Sequence, residues 1–291
     1  MEKIIAPKAD EPLRHPPIFI LGPPRSGSTL MIQVITDALD VGYISNRHCR
    51  WFGAPALAEY LYHPLSNKPL SDYRSNHGTT CGAYAPAECG SWWYRFFRRN
   101  PPYVTSDDVD PIKMQEFRCS IAALTNALDK PVLFKNLYAS LRIQPIAKYI
   151  PESLFIVIHR NEVDNGHSLL EARYKSFKNY TPWFSVEPHG IKEIINLPPY
   201  KQVIEQIRHI HMVINQDMQR VDISPKRRFD LNYEKFCYNP SEKINAIQSF
   251  LESHGCRTTR RSYSIPEHFN RRNEIRIDQK LYQAMKSYSK E

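Results

Sequence analysis

Apolar positions in this chain fall into short continuous runs, separated by stretches with the 3.6-residue period of a helix. The first run, Ile18-Phe19-Ile20-Leu21, leads directly into Gly22-Pro23-Pro24-Arg25-Ser26-Gly27-Ser28-Thr29. Leu30, Met31, Val34, Ile35 and Ala38 then recur at helical spacing, so the segment reads as strand, glycine-containing loop and helix. A second unit starts at Val132-Leu133-Phe134, ends its strand in Lys135, and continues through a helix from Leu141 to Ile150. The run Leu154-Phe155-Ile156-Val157-Ile158 follows and ends in His159-Arg160. Strands that are apolar throughout and separated by helices predict a parallel sheet covered on both faces. The expected fold class is therefore α/β, a three-layer α/β/α arrangement around a central parallel sheet.

Further along, residues 162–178 read as a helix, followed by an aromatic loop around Pro182-Trp183-Phe184. Val203, Ile207, Ile210, Ile214, Met218 and Val221 make the clearest helical stripe, read as core. Phe229 to Tyr233 reads as another strand, and Asn239, Pro240 and Glu242 form a capping box for a helix over Ile244–Leu251. Residues 1–16 are polar and proline-rich and read as a tail ahead of a single domain over 17–291. The stretch 47–110 breaks the alternation with Trp51, Phe52, Tyr60, Tyr62, Tyr73, Tyr84, Trp92, Trp93, Tyr94, Phe96 and Phe97. It is expected to be an insertion over the carboxyl edge of the sheet, where open α/β sheets bind ligands; the alternative is a second packing layer of core aromatics.

Composition narrows the function classes. A chain of 291 residues buries roughly three quarters of its unfolded surface and needs no staple of disulfides or metal. Lys plus Arg exceed Asp plus Glu by 39 to 30, a net +9, which points to anionic partners without choosing among them. The six cysteines are scattered, with no CxxC pair and no zinc spacing. No apolar run approaches the ~20 residues of a membrane span, and the first ten residues lack a signal-peptide core. The chain is expected to be soluble and cytoplasmic with free thiols.

Gly22 to Thr29 has the skeleton G-x-x-x-x-G-x-[ST], a loop that aims backbone N–H groups and a helix's positive end at an anion. In nucleotide triphosphatases a Lys precedes the final Ser/Thr; here Ser28 stands there, and the cation sits earlier, at Arg25. The two apolar strands end in Lys135 and Arg160, where a triphosphatase places a magnesium-holding Asp. No metal is expected. Pro24-Arg25-Ser26-Gly27-Ser28-Thr29-Leu30 resembles the 5′-phosphosulfate loop of sulfotransferases that use 3′-phosphoadenosine 5′-phosphosulfate (PAPS). Phe155 to Arg160, with Ser168 eight residues on, resembles the family's grip on the 3′-phosphate. Asn232-Tyr233-Glu234-Lys235-Phe236, with Pro240 and its helix, resembles the third element, where the tyrosine lies near the adenine. The three stand in the family's order across residues 18–251.

The resemblance implies a PAPS donor held by Arg25, Ser26, Gly27, Ser28, Thr29, Leu30, Arg160, Ser168 and Tyr233, and transfer of its sulfuryl group to an acceptor hydroxyl. Lys135 matches the lysine that follows a central strand in many members and is a candidate to stabilise the departing oxygen, together with Arg25. The chain departs from the family over the general base. Cytosolic members carry a His two residues after that lysine, and here Leu137 stands there; Golgi-type members carry a Glu about twenty residues past the loop cation, and here the stretch is Asn46-Arg47-His48. His48 and Glu88 are the substitutes, with His77 a weaker third. The acceptor is expected to be a carbohydrate, lipid or other small molecule, lined by 47–110 and 178–200. The basic clusters Arg95/Arg98/Arg99, Lys226/Arg227/Arg228 and Arg257/Arg260/Arg261/Arg271/Arg272 are read either as guides for an acidic glycan or as a solvated surface that attracts the charged donor, and the resemblance offers a third place for the C-terminal cluster, over the donor's 3′-phosphate. Two rival classes remain: a metal-dependent P-loop nucleotide kinase, and a protein without catalysis that binds nucleotide or nucleic acid. A nucleic-acid partner is not expected, since no recognised binding module is present.

Overall fold

One five-stranded sheet organises the chain: β1 (Ile18–Leu21), β2 (Gly42–Tyr43), β3 (Val132–Lys135), β4 (Leu154–His159) and β5 (Arg228–Asn232), in the spatial order β2-β3-β1-β4-β5. The computed structural model describes residues 13–61, 71–74, 78–262, 264–271 and 274–291. Most of the tail expected at 1–16, together with Tyr62, His77 and Arg272, lies outside the described residues. All four pairings are parallel, with Ile18 opposite Leu133 on one side and Leu154 on the other. Parallel neighbours require crossover connections, and helices supply them. Between the strands lie α1 (Ser28–Ala38), α2 (Asn46–Arg50), α3 (Pro55–Leu61), α4 (Gly90–Trp93), α5 (Pro111–Leu128), α6 (Ile143–Tyr149), α7 (Glu162–Phe177), α8 (Ile191–Ile194) and α9 (Pro199–Arg220), and after β5 come α10 (Tyr233–Tyr238), α11 (Pro240–Glu252) and α12 (Gln279–Tyr288).

Successive strand side chains point to opposite faces, and this divides the core in two. Phe19, Leu21, Phe134, Phe155 and Val157 face a layer built from α4, α5, α6 and the middle of α9. Ile18, Ile20, Leu133, Ile156 and Ile158 face α1 and α11. The expected three layers are present. The long stripe on α9 serves two packings: Val203 and Ile207 meet α7 and α12, while Ile210, Ile214 and Met218 join the sheet layer.

Three expectations change. Trp92, Trp93, Phe96 and Phe97 do not overhang the carboxyl edge of the sheet; all are buried. Trp92 stacks on Phe134 at 5.4 Å and Trp93 meets Phe19 edge-on at 6.1 Å, so this part of 47–110 is the second packing layer. Tyr233 opens α10 instead of closing β5, because the Asn232 side chain caps that helix by accepting from Lys235 N at 2.8 Å. The eighteen-residue helix α5, capped by Asp110 with Pro111 in its first turn, fills a stretch to which the sequence reading assigned no element. No helix among the described residues is long and apolar enough to cross a membrane.

Candidate active site

Strand β1 lies between β3 and β4, so the loops leaving its carboxyl end open at the point where the strand order reverses. The loop after β1 is held from below and from the side. Gly22 N donates to Ser140 Oγ (2.9 Å), whose hydroxyl donates back to Gly22 O (3.2 Å). With its amide nitrogen turned to the loop, buried Asn165 of α7 donates to the carbonyls of Pro24 (2.9 Å) and Arg25 (3.1 Å). Arg25 and Gly27 both adopt left-handed backbone conformations (φ 66 and 101), which wraps the loop into the start of α1. The first turn of α1 has no side-chain cap and no acidic residue, so its N–H donors face the loop mouth as an anion site.

The side chains named from the sequence converge on this loop. Arg25 Nε donates to Ser168 Oγ at 3.1 Å, and Arg160 Nη1 donates to the carbonyl of Arg25 at 2.7 Å. The Arg160 guanidinium lies over the Tyr233 ring at 4.8 Å. Arg160 is therefore not tied to its neighbours Glu162 or Asp164; Glu162 pairs with Arg208 instead. Tyr233 leans on Gly27, where an added Cβ would stand 2.2 Å from two ring carbons. Burial raises the Tyr233 phenol far above its ordinary pKa, keeping it neutral. Ser26 differs from the expectation: its Oγ lies close under Gly22 and does not reach the cavity.

Lys135, at the end of β3 and only 4% exposed, forms a close ion pair with Glu88. Asn136, also buried, donates to the Glu88 carbonyl at 3.3 Å and fixes that backbone. Gly78 sits over the pair, with Glu88 Oε1, Lys135 Nζ and Thr29 Oγ1 all within 3.8 Å of a Cβ built there. His48 is placed elsewhere. It is 2% exposed, its Nδ1 receives the Ser45 N–H at 2.9 Å, and its Nε2 meets Glu59 at 2.7 Å. Both ring nitrogens are engaged in capping α2 and bonding α3, and the residue does not line the cavity. The sequence reading of His48 as a base is corrected to a structural role.

These groups share one cavity of about 870 Å³, the size of a small-molecule site. Arg25, Gly27, Ser28, Thr29, Leu30, Lys135, Glu88, Arg160, Ser168 and Tyr233 all line it. The far wall comes from the C-terminal segment, whose Arg271 the sequence reading weighs for both donor and acceptor, and whose Phe269 and Arg276 it does not name. Phe269, Arg271 and Arg276 reach in from the stretch before α12, and Arg276 N donates to His167 Nε2 at 3.0 Å. That bond needs an unprotonated Nε2, and burial holds the His167 pKa below its usual value. Only the arginine density at 257–272 signalled this wall, and it is divided: Arg271 lines the cavity, while Arg261 pairs with Asp40 and Arg260 bonds Asn245. Of the other basic clusters, Arg98 pairs with Asp108 and Arg227 donates to Ser153 O at 2.7 Å, so both have structural partners. With Arg25, Lys135, Arg160, Arg271 and Arg276 set against Glu88 and Glu171, the cavity suits a ligand carrying more than one anionic group.

A family model described as the sulfotransferase family matches residues 16–254. No curated protein matches the sequence. Among solved structures, the fold is similar to sulfotransferase STF9 from Mycobacterium avium, with a TM-score of 0.51 and 14% identity, covering 96% of this chain and 68% of that one. A sulfotransferase from Alicyclobacillus acidocaldarius is also matched, with a TM-score of 0.46 and 12% identity over 96% of this chain and 92% of the other.

Proposed function

The chain belongs to the sulfotransferase family, and from that membership we propose that it transfers a sulfuryl group from PAPS to a hydroxyl of a small-molecule or glycan acceptor. The observation that carries this reading is the pairing of Glu88 with Lys135 at the end of β3, in the same cavity as the Arg25–Ser168–Arg160 cluster. The donor, when bound, supplies an activated sulfuryl group whose release leaves negative charge on the bridging phosphate oxygen. Arg25 and the first-turn N–H groups of α1 hold the 5′ end, Arg160 and Ser168 the 3′-phosphate, and Tyr233 the base. Lys135 holds a positive charge where the leaving oxygen develops its own. Glu88 is the general base: a carboxylate oxygen takes the acceptor's proton as the hydroxyl attacks, and the ion pair with Lys135 positions that carboxylate.

On the acceptor side the cavity is lined by Asn46, Thr79, Thr80 and Ser91, of which Asn46 Nδ2 and Thr80 Oγ1 donate to backbone carbonyls of the wall, with Leu137 and Phe184 as its apolar part. Hydrogen-bonding walls of this kind favour a polyhydroxylated acceptor over a flat phenol. All six cysteines are unbridged, in keeping with a reducing compartment, the cytoplasm.

Calorimetry with 3′,5′-diphosphoadenosine and with ATP, each with and without magnesium, tests the donor assignment. Metal-independent binding of the former is expected, weakened at least about tenfold in Arg25→Ala and Arg160→Ala by loss of charge-assisted hydrogen bonds. Labelled-sulfate transfer then tests the base: Glu88→Gln lowers kcat by about 10²–10⁴ while diphosphoadenosine affinity is retained. Preference for ATP with magnesium, or full turnover in Glu88→Gln, overturns the respective assignment.

A further inference from the structure

We propose that Cys49 and Cys89 are a reversible redox pair in the cavity wall, which a hydroperoxide entering the cavity oxidises to a disulfide that switches turnover off. The pair is built by the backbone. Ser45 and Pro86 form an antiparallel bridge, with Ala87 N donating to Ile44 O (2.8 Å) and Asn46 N to Ala85 O (3.0 Å). Cys49 stands one helical turn after Ser45, and Cys89 three residues after Pro86, so the bridge brings both into the same patch of the cavity lining. There the two thiols are neighbours, each close enough to shift the ionisation of the other.

The two cysteines are not equivalent. Cys49 is half-buried and open to the cavity; Cys89 is 6% exposed and belongs to the aromatic core beneath. The neighbouring Cys89 thiol lowers the Cys49 pKa, while the Cys49 thiol and burial raise that of Cys89. Cys49 is thus the nucleophile and Cys89 the resolving thiol. The Cys49 thiolate attacks a peroxide oxygen, breaking the O–O bond and giving Cys49 sulfenic acid plus hydroxide. The Cys89 sulfur then displaces the sulfenic oxygen, which leaves as water with the Cys89 proton. Overall two thiols lose two electrons and two protons, and hydrogen peroxide is reduced to two waters, an organic hydroperoxide to an alcohol and one water.

The consequence for the site follows from Cys89 being the residue after Glu88. Its backbone is held in a left-handed conformation (φ 47), and its carbonyl accepts from Trp92 N at 3.0 Å. With the Cys89 carbonyl held by Trp92 and the Glu88 carbonyl held by Asn136, closing the disulfide puts strain on the short segment between them, and the switch acts by releasing that strain through the Glu88 side chain and its pairing with Lys135. None of the other four cysteines lines the cavity: Cys81 is exposed, Cys119 half-buried, and Cys237 and Cys256 are buried. The effect on turnover rests on Glu88 as the base; formation of the disulfide does not.

The full-length reduced chain is titrated with hydrogen peroxide, and its peptides are mapped without reduction. The expected result is a Cys49–Cys89 cross-linked peptide, formed before any oxidation of Cys237 or Cys256 and reversed by a dithiol. Sulfate transfer falls at least about tenfold in step with that cross-link and recovers with dithiol, while diphosphoadenosine affinity changes by less than about twofold. Cys49→Ser, the less buried of the two changes, gives a chain that peroxide does not inhibit, and Cys89→Ser gives the same. Over-oxidation of Cys49 without a link to Cys89, or links only to Cys81, overturns the pair. A cross-link with unchanged turnover overturns the switch. If the reduced chain shows no sulfate transfer at all, peptide mapping still decides the pair, and it is the base assignment that fails.

Discussion

At the scale of single residues, the site depends on how closely the loop backbone is approached. Gly27 has φ 101, and a Cβ there would stand 2.2 Å from the Tyr233 ring, which in turn carries the Arg160 guanidinium. Gly27→Ala therefore forces Tyr233 and Arg160 away from the loop. The expected outcome is at least about a tenfold loss of diphosphoadenosine affinity by calorimetry, with far-ultraviolet circular dichroism unchanged; wild-type affinity would show that Tyr233 does not fix the site. Arg25, Lys135 and Arg160 were legible in the sequence because each stands at or within a few residues of the carboxyl end of an apolar strand, so strand direction aims them at one edge. His48 misled because distance along the chain does not say which way a side chain turns: Ser45 and Glu59 take both of its nitrogens. Asn165 and Asn136, which hold the loop and the Glu88 backbone, carry no sequence signal, since an amide's partners are set entirely by tertiary packing.

At the scale of elements, legibility followed length and period. Strands β1, β3 and β4 are unbroken apolar runs buried on both faces, and α9 repeats its stripe over six turns, so both announced themselves. Strand β2 has two residues and α4 has four, too few to show any period. The aromatics around α4 are core, and their burial is the main tie between the 47–110 stretch and the sheet. Trp92 is fully buried, its Nε1 donates to Ser120 Oγ at 3.0 Å, and its ring packs on Phe117 and Phe134. Trp92→Ala is expected to cost about 3–5 kcal/mol, with the orphaned Ser120 hydroxyl adding to the cavity left behind. Urea titration at neutral pH measures this; a loss below about 1 kcal/mol would mean that the layer collapses to fill the void.

At the scale of the whole molecule, one helix layer meets the sheet, beyond their apolar packing, at a cluster of titratable groups where α9 crosses β4 and β5. His211 of α9 stacks on His159 at the end of β4 (4.8 Å, 8°), and His159 Nε2 meets Asp230 of β5 at 2.5 Å. Burial, reinforced by the positive neighbours His159 and Arg228, lowers the His211 pKa from 6.5 to about 4. The folded chain thus keeps His211 neutral where the unfolded chain protonates it, so this contribution is complete above pH 6.5 and is lost as the pH falls toward 4. Its size is on the order of 1–3 kcal/mol. Asp230 acts in a lower window. Burial opposes its ionisation, but hydrogen bonds from His159 and Arg228 outweigh that and hold it at about 2, so its contribution persists until the pH drops below 3.8. Urea midpoints measured across this range should fall first between pH 6.5 and 4 and again below 3.8. His211→Phe keeps a ring against His159 but removes the proton site, and it should flatten the first step while leaving the second. A wild-type midpoint that holds steady from pH 6.5 to 4 would show that His211 takes up its proton without loosening the packing of α9 on the sheet.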